Sequence, residues 1–110
     1  MTDFIQVVTT ADKRELAEQI ASHLVELRLA ACVQVLGPMT STYRWQGNIE
    51  RAEEWLCLAK TRRDLYPQVE AAIREVHTYE VPEVLAVPII AGSMPYLEWM
   101  EKELLAQSNA

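Results

Sequence analysis

The sequence is poor in basic residues and in cysteine, and each shortage excludes a class of protein. Its 110 residues include ten lysines and arginines against sixteen aspartates and glutamates, which gives a net charge of −6. Binding to a nucleic-acid backbone depends on positive charge, so a nucleic-acid partner is not expected. The two cysteines, Cys32 and Cys57, fall inside predicted strands. They indicate free thiols in a reducing compartment rather than a disulfide framework.

Long hydrophobic runs are also missing. No apolar stretch reaches the roughly 18 residues that a membrane-spanning helix needs, and no signal peptide is visible at the start of the sequence. We therefore expect no membrane partner and a cytoplasmic location. The sequence also lacks a glycine-rich phosphate loop and a nucleophile elbow, so we expect neither an enzyme nor an organic cofactor.

The longest β-rich stretch covers residues 31–61 and turns at Gly47 and Asn48. Gly47 adopts a positive φ without steric cost and Asn48 tolerates one, so a hairpin turn is predicted here. A bulge is expected at Gly37-Pro38. The first arm would reach about 40 Å if fully extended, whereas a compact chain of this length is about 34 Å across. The tip of the hairpin should therefore project from the domain.

The spacing of apolar residues predicts the remaining elements. A β-branched strand over residues 3–10 precedes an amphipathic helix that ends near Leu29, and a second helix follows the hairpin. A last strand over residues 84–90 leads to a short C-terminal helix, and the polar tail 107–110 should fray. The order β-α-β-β-α-β predicts one α+β domain over residues 1–110, with the ferredoxin-like split arrangement and helices on one face of an antiparallel sheet.

Three residues predict where elements begin or lie. Asp12, with Glu15 three residues later, matches a capping box at the start of the first helix. Asp64 is the expected N-cap of the second helix. Pro88 cannot donate a hydrogen bond to a neighbouring strand, which predicts that the last strand lies at the edge of the sheet.

The return arm of the hairpin is apolar on both faces. Trp55 and Cys57 alternate with Leu56 and Leu58, whereas a half-exposed strand alternates apolar with polar residues. One face can cover the helices, and a second copy of the chain is the simplest cover for the other. We therefore expect self-association, with Trp55 at a subunit interface and the edge at Pro88 beside a neighbour's hairpin.

His77, Glu80 and Glu83 form the best candidate metal site. Their spacing around a turn can bring an imidazole near two carboxylates, a ligand set suited to Cu(II) or Zn(II). Cys32 is a second candidate, because a thiolate favours Cu(I) or Zn(II). Two alternatives stay open: His77 caps the preceding helix while the carboxylates are solvated, and Cys32 is a small buried hydrophobe.

Aromatic and basic residues near the hairpin tip indicate a ligand cleft between subunits. Tyr43, Arg44 and Trp45 would form its wall together with Tyr79 from the turn, and Arg44 or Lys60 would be available for an anionic ligand. Buried interfaces also favour aromatic residues and arginine, so interface packing is the competing interpretation.

Several motifs occur in order along almost the whole chain: Ala30-Ala31-Cys32-Val33, Ser41-x-Tyr43-x-Trp45-x-Gly47, Leu58-Ala59-Lys60-Thr61, His77-x-Tyr79-Glu80-x-Pro82-Glu83 and Tyr96-Leu97-x-Trp99. Together they resemble the CutA family of divalent-cation tolerance proteins. The resemblance implies a cytoplasmic homotrimer of ferredoxin-like subunits that is linked to copper and other divalent ions, with a cysteine at the position of Cys32 considered for copper binding. It also implies a fold similar to that of the trimeric PII signalling proteins. Thr78 stands where the family usually has proline, which loosens this turn.

Two functions follow as hypotheses. The first is divalent-cation tolerance through the binding of copper or another divalent ion by a homotrimer. The second is a PII-like signalling or adaptor trimer that binds a small ligand or a protein partner in clefts between subunits. Both hypotheses place the site between subunits, around His77, Tyr79, Glu80 and Glu83, with the hairpin as the neighbouring wall.

Overall fold

The computed structural model describes residues 3–106, and no helix within them is long and apolar enough to span a membrane. The prediction for residues 107–110 lies outside the described residues. In chain order the elements are β1 (Phe4–Ala11), α1 (Arg14–Glu26), β2 (Cys32–Trp45), β3 (Asn48–Arg62), a 3-10 turn (Arg63–Leu65), α2 (Tyr66–Val76), β4 (Val84–Ile89) and α3 (Met94–Glu103).

The strands form one four-stranded sheet in the order β2-β3-β1-β4. Each of the three pairings is antiparallel, and β1 lies between β3 and β4. This is the predicted ferredoxin-like split arrangement, in which the two halves of the chain interleave. Pro88 lies opposite Ile5 on the outer strand β4. The edge position expected from the proline is therefore confirmed.

One face of the sheet carries the hydrophobic core beneath α1 and α2. Alternate residues of β1, including Val7 and Thr9, lie on this face and are buried. Ile20 and Leu24 of α1 and Ile73 of α2 have no exposed surface at all. Burying one such aliphatic side chain contributes about 1.5–3 kcal/mol, so the apolar stripes fix both helices on this face.

The predicted helix starts are wrong in detail. Lys13 rather than Asp12 is the N-cap of α1, and no side-chain hydrogen bond caps that helix. Asp64 lies inside the 3-10 turn, where its carboxylate accepts hydrogen bonds from Arg62 instead of capping α2. The first helix also ends before Leu29, the end that the apolar spacing predicts.

The hairpin is paired up to its tip, where Trp45 lies opposite Asn48. The molecule measures 46 × 26 × 24 Å, so its long axis exceeds the diameter expected of a compact chain, as the hairpin predicts. Gln46 (φ 49°) and Gly47 (φ 83°) occupy the turn. Two successive positive φ angles are typical of a type I′ turn. The positive φ expected at Asn48 lies instead at Gln46.

A bulge interrupts the hairpin between Leu36 and Met39, where the Gly-Pro pair predicts it. The ring of Trp55 packs so closely on Gly37 that a side chain at that position would collide with it. Trp55 therefore belongs to the helix-covered face, where it packs against the core. Its place at a subunit interface stays a prediction.

The opposite face of the sheet has a bare apolar centre. Cross-strand pairing places Leu36 beside Leu56, and Leu58 in line with Leu85 across β1. Leu36, Leu85 and Val87 are 51, 58 and 48% exposed. We call these five residues the bare face. The two-sided apolar pattern predicted for β3 is therefore present.

Helix α3 covers one end of this side of the sheet. Arg62 of β3 is completely buried there, and its guanidinium bonds to Asp64, to Glu101 and to the carbonyl oxygen of Leu105. The pKa of Arg62 is raised above its ordinary value, mainly by the hydrogen bond to Asp64. A buried arginine thus fixes the last helix to the sheet.

Candidate functional site

A cleft opens between the outer part of the hairpin and the turn after α2. Its volume is about 560 Å³. Its lining consists of hydroxyl, aromatic and acidic side chains with one valine: Thr10, Ser41, Thr42, Tyr43, Trp45, Glu54, Tyr79, Glu80, Val81 and Glu83. The described chain forms this cleft by itself. Its location between subunits stays a prediction.

His77 anchors the turn on one side of the cleft. It follows the last residue of α2, and its Nε2 lies 2.6 Å from the carbonyl oxygen of Thr10. Its Nδ1 accepts a hydrogen bond of 3.1 Å from the backbone N–H of Tyr79. These partners assign the neutral tautomer with the proton on Nε2. Both ring nitrogens are therefore engaged within the chain.

Tyr79 crosses the cleft to Glu54. Its hydroxyl donates a 2.8 Å hydrogen bond to Oε2 of Glu54, whose residue surface is only 7% exposed. Burial, and after it the hydrogen bond to Glu54, raise the pKa of Tyr79 above its ordinary value. The hydroxyl thus remains a donor at neutral pH. These hydrogen bonds link Thr10, His77, Tyr79 and Glu54 along this wall of the cleft.

Two aromatic rings form the hairpin side of the cleft. Tyr43 and Trp45 are two residues apart on β2, so they lie on the same face of the strand. They are 44 and 47% exposed. Exposed aromatic side chains on a cleft wall provide apolar surface and a π face for a ligand.

The charged lining of the cleft is entirely acidic. Glu54 is buried, while Glu80 and Glu83 are exposed at the mouth. Among the lining residues none is lysine, arginine or histidine. The cleft therefore favours cations and disfavours anions.

The remaining predicted site residues lie elsewhere. Lys60 donates to the side chain of Gln34, and neither Lys60 nor Arg44 lines the cleft. Cys32 lies at the far end of β2 beside Tyr96 of α3, where burial and then the nearby thiol raise the pKa of the tyrosine. The structure brings together the aromatic and carboxylate candidates but not the two basic ones or the thiol.

Within residues 3–106, no group of three histidine, cysteine, aspartate or glutamate side chains is close enough to hold a metal ion. His77 could become a ligand only by losing one of its two hydrogen bonds. His77, Glu80 and Glu83 thus do not form a group of three donors within one described chain, and Cys32, the second candidate, lies apart from them.

The sequence did not indicate Glu54 as part of the site. Glu53 and Glu54 are adjacent on β3 and cannot act as a carboxylate pair, because neighbouring strand residues lie on opposite faces. The same alternation could have indicated Glu54, because it places Glu54 on the same face as Leu56 and opposite Met39. Ser41 belongs to the motif that contains Tyr43 and Trp45, but the sequence did not assign its side chain to the site, and Thr42 has no distinguishing pattern.

A second groove runs along the edge strand. Its volume is about 1070 Å³, and its mostly apolar lining includes Pro88, Ile90 and Met94. Ile90 is 94% exposed. The groove holds the predicted interface residue Pro88, and its charged lining residues, Asp3 and Arg63, pair with each other.

The sequence and the fold both match known proteins. The family model described as "CutA1 divalent ion tolerance protein" matches residues 5–103. A divalent-cation tolerance protein CutA of Thermus thermophilus is 42% identical over 96 residues, which cover 87% of this chain and 93% of that protein. The mouse protein CutA is 42% identical over 101 residues, and these cover 92% of this chain and 57% of that protein. The match spans little more than half of the mouse protein.

Solved structures agree with the sequence match. The structure of the divalent cation tolerance protein Cut A1 from Thermus thermophilus superposes with a TM-score of 0.90 at 40% identity, covering 92% of this chain and 98% of that one. The crystal structure of CutA1 from Oryza sativa gives a TM-score of 0.93 at 32% identity over 96% and 97% of the two chains. The chain belongs to the CutA1 family of divalent ion tolerance proteins.

Proposed function

We propose that this protein acts in divalent-cation tolerance as a cytoplasmic homotrimer that binds divalent ions, Cu(II) among them, at the carboxylates of the acidic cleft. The observation that carries the proposal is the charge of the lining, which contains three glutamates and no basic side chain. Carboxylate oxygens are general ligands of divalent ions.

The ion is a transient ligand in this proposal. Glu80 and Glu83 are exposed and can turn towards an ion, whereas Glu54 is held by Tyr79. Since one described chain lacks a preformed group of three donors, a second copy would supply the remaining ligand. His77 then acts by holding Tyr79 in place rather than by binding the metal.

Calorimetric titration tests this proposal directly. Cu(II) and Zn(II) titrated into the protein should bind stoichiometrically, and the double variant Glu80→Gln/Glu83→Gln should bind at least about tenfold more weakly, a loss of about 1.4 kcal/mol. The matched control is Glu15→Gln/Glu18→Gln, which removes the same charge from exposed positions on α1. Equal weakening in both double variants would show that only the net charge matters. Unchanged affinity in Glu80→Gln/Glu83→Gln would show that the metal does not bind in this cleft.

A PII-like role in binding a small ligand is the second candidate. The aromatic wall and the volume of about 560 Å³ favour it, since pockets for small molecules fall in this range. The acidic lining disfavours nucleotides and other anionic ligands. A panel of nucleotides in the same titration should therefore give no heat of binding, and saturation by one of them would favour a nucleotide sensor.

A further inference from the structure

The cleft is much larger than a metal ion requires. Its volume is about 560 Å³, whereas one water molecule occupies about 30 Å³ of liquid. An ion bound by the two glutamates at the mouth would leave most of this space filled with water. The inner part of the cleft thus has the size of an organic molecule.

The lining combines half-exposed aromatic rings with a buried carboxylate. Tyr43 and Trp45 provide exposed π faces, and Glu54 contributes a negative charge that is shielded from solvent. A cation is attracted to the face of an aromatic ring, and this attraction grows when water is excluded. Methylene groups also pack well on such rings. The combination favours an organic cation over a hydrated inorganic one.

The other polar side chains of the lining carry hydroxyl groups, which can accept a hydrogen bond from a ligand. Thr10 and Ser41 add hydroxyl-bearing residues to the lining, and none of the lining residues is a cationic donor. An ammonium group has several N–H donors and no acceptor. It therefore complements this lining better than a quaternary ammonium, which lacks N–H groups, and far better than an anion.

We propose that the cleft binds an aliphatic diamine or polyamine, with its methylene chain on Tyr43 and Trp45 and its ammonium groups near Glu54 and the glutamates at the mouth. The acidic charge is distributed from the interior to the mouth of the cleft, which suits a ligand that carries a charge at each end. This inference uses the cleft of the proposed function but does not depend on metal binding there.

Titration with putrescine, spermidine and 1,4-butanediol tests the proposal. Butanediol matches putrescine in length and lacks its charge. Both amines should bind and quench or shift tryptophan fluorescence, while butanediol should not. Trp45→Leu should weaken amine binding by about tenfold or more. Trp99→Leu is the matched control, because Trp99 is a similarly exposed tryptophan on α3, 42% against 47% for Trp45.

The outcomes separate this inference from the metal proposal. Metal binding that is lost in Glu80→Gln/Glu83→Gln, without amine binding by the parent protein, overturns the inference and leaves the proposed function intact. Amine binding that is weakened by Trp45→Leu but not by Trp99→Leu supports the inference even if no divalent ion binds. Equal binding of butanediol and putrescine, or equal loss in both tryptophan variants, also overturns it.

Discussion

At the scale of single residues, His77 shows why a motif residue need not be a ligand. The sequence places this histidine near two glutamates, which is a reasonable metal pattern. In the folded chain its two nitrogens bond to Thr10, far away in sequence, and to the backbone of Tyr79. Since the bond to Thr10 spans 67 positions, spacing within the turn could not predict it.

Cys57 gives a prediction about alkaline pH. Its thiol is completely buried and contacts the carbonyl oxygen of Ala17, and burial raises its pKa to about 11. A thiol in an unfolded chain has a pKa near 8.5. Because the folded pKa is the higher one, this group stabilises the fold fully below about pH 8.5, and the contribution is lost as the pH rises towards 11.

Unfolding by denaturant should therefore show about 2 kcal/mol less stability per chain at pH 10 than at pH 8 from this residue. The variant Cys57→Ala should lose that pH dependence while keeping a constant cavity penalty. Cys32→Ala, which removes the half-buried thiol, is the control, and its free energy of unfolding should show the same pH dependence as that of the parent. An unchanged slope in Cys57→Ala would show that other groups cause the alkaline loss.

At the scale of elements, α3 depends on one side chain of another element. Arg62 is 0% exposed, and it contacts both Glu101 and the carbonyl oxygen of Leu105. Met100 and Leu104 add buried apolar surface to the same junction. The helix is short, so these contacts rather than its intrinsic propensity hold it in place.

The variant Arg62→Met should loosen α3 selectively. Breaking a buried pair costs about 3–5 kcal/mol, and we expect the lower end, because the side chains of Asp64 and Glu101 are each 40% exposed and can be rehydrated. Hydrogen exchange should accelerate in residues 94–105 much more than in α1. The control Arg63→Met changes a neighbouring arginine that is 76% exposed and should leave exchange unchanged. Uniform acceleration along the chain would mean that Arg62 stabilises the whole fold instead.

At the scale of the molecule, the bare face makes the proposed homotrimer testable. Leu58 lies at its centre, between Val8 and Gln34, and away from the helical core. Glutamate at this position would be solvated in a single chain but buried in an assembly, where an unpaired charge is strongly unfavourable. Leu58→Glu separates folding from assembly, whereas Trp55→Glu would also damage the core.

Sedimentation equilibrium of the parent should give three times the chain mass of 12.5 kDa. Leu58→Glu should shift the protein to the monomer while circular dichroism stays close to that of the parent. Val25→Glu, on α1 at the other side of the sheet and 44% exposed, is the control and should remain trimeric. A monomeric parent at micromolar concentration would reject the homotrimer.

The sequence predicts the architecture better than it predicts the site. The strand parity of Trp55 against Leu56 follows from a period of two, so both faces of β3 could be assigned without coordinates. Asp64 is not the N-cap of α2, because a 3-10 turn precedes the helix and places Leu65 at that position. The bonds from Tyr79 to Glu54 and from Arg62 to Glu101 join residues 25 and 39 positions apart, and no local pattern encodes them.

The bare face also has a consequence inside a cell. A newly made chain exposes Leu36, Leu85 and Val87 until another copy of the chain covers them. Chaperones and proteases recognise such exposed apolar surfaces. Encounters with other copies become rarer as expression falls, because association depends on concentration. Cells that make little of this protein should therefore lose a larger fraction of it to degradation, so its abundance should respond more than proportionally to its rate of synthesis.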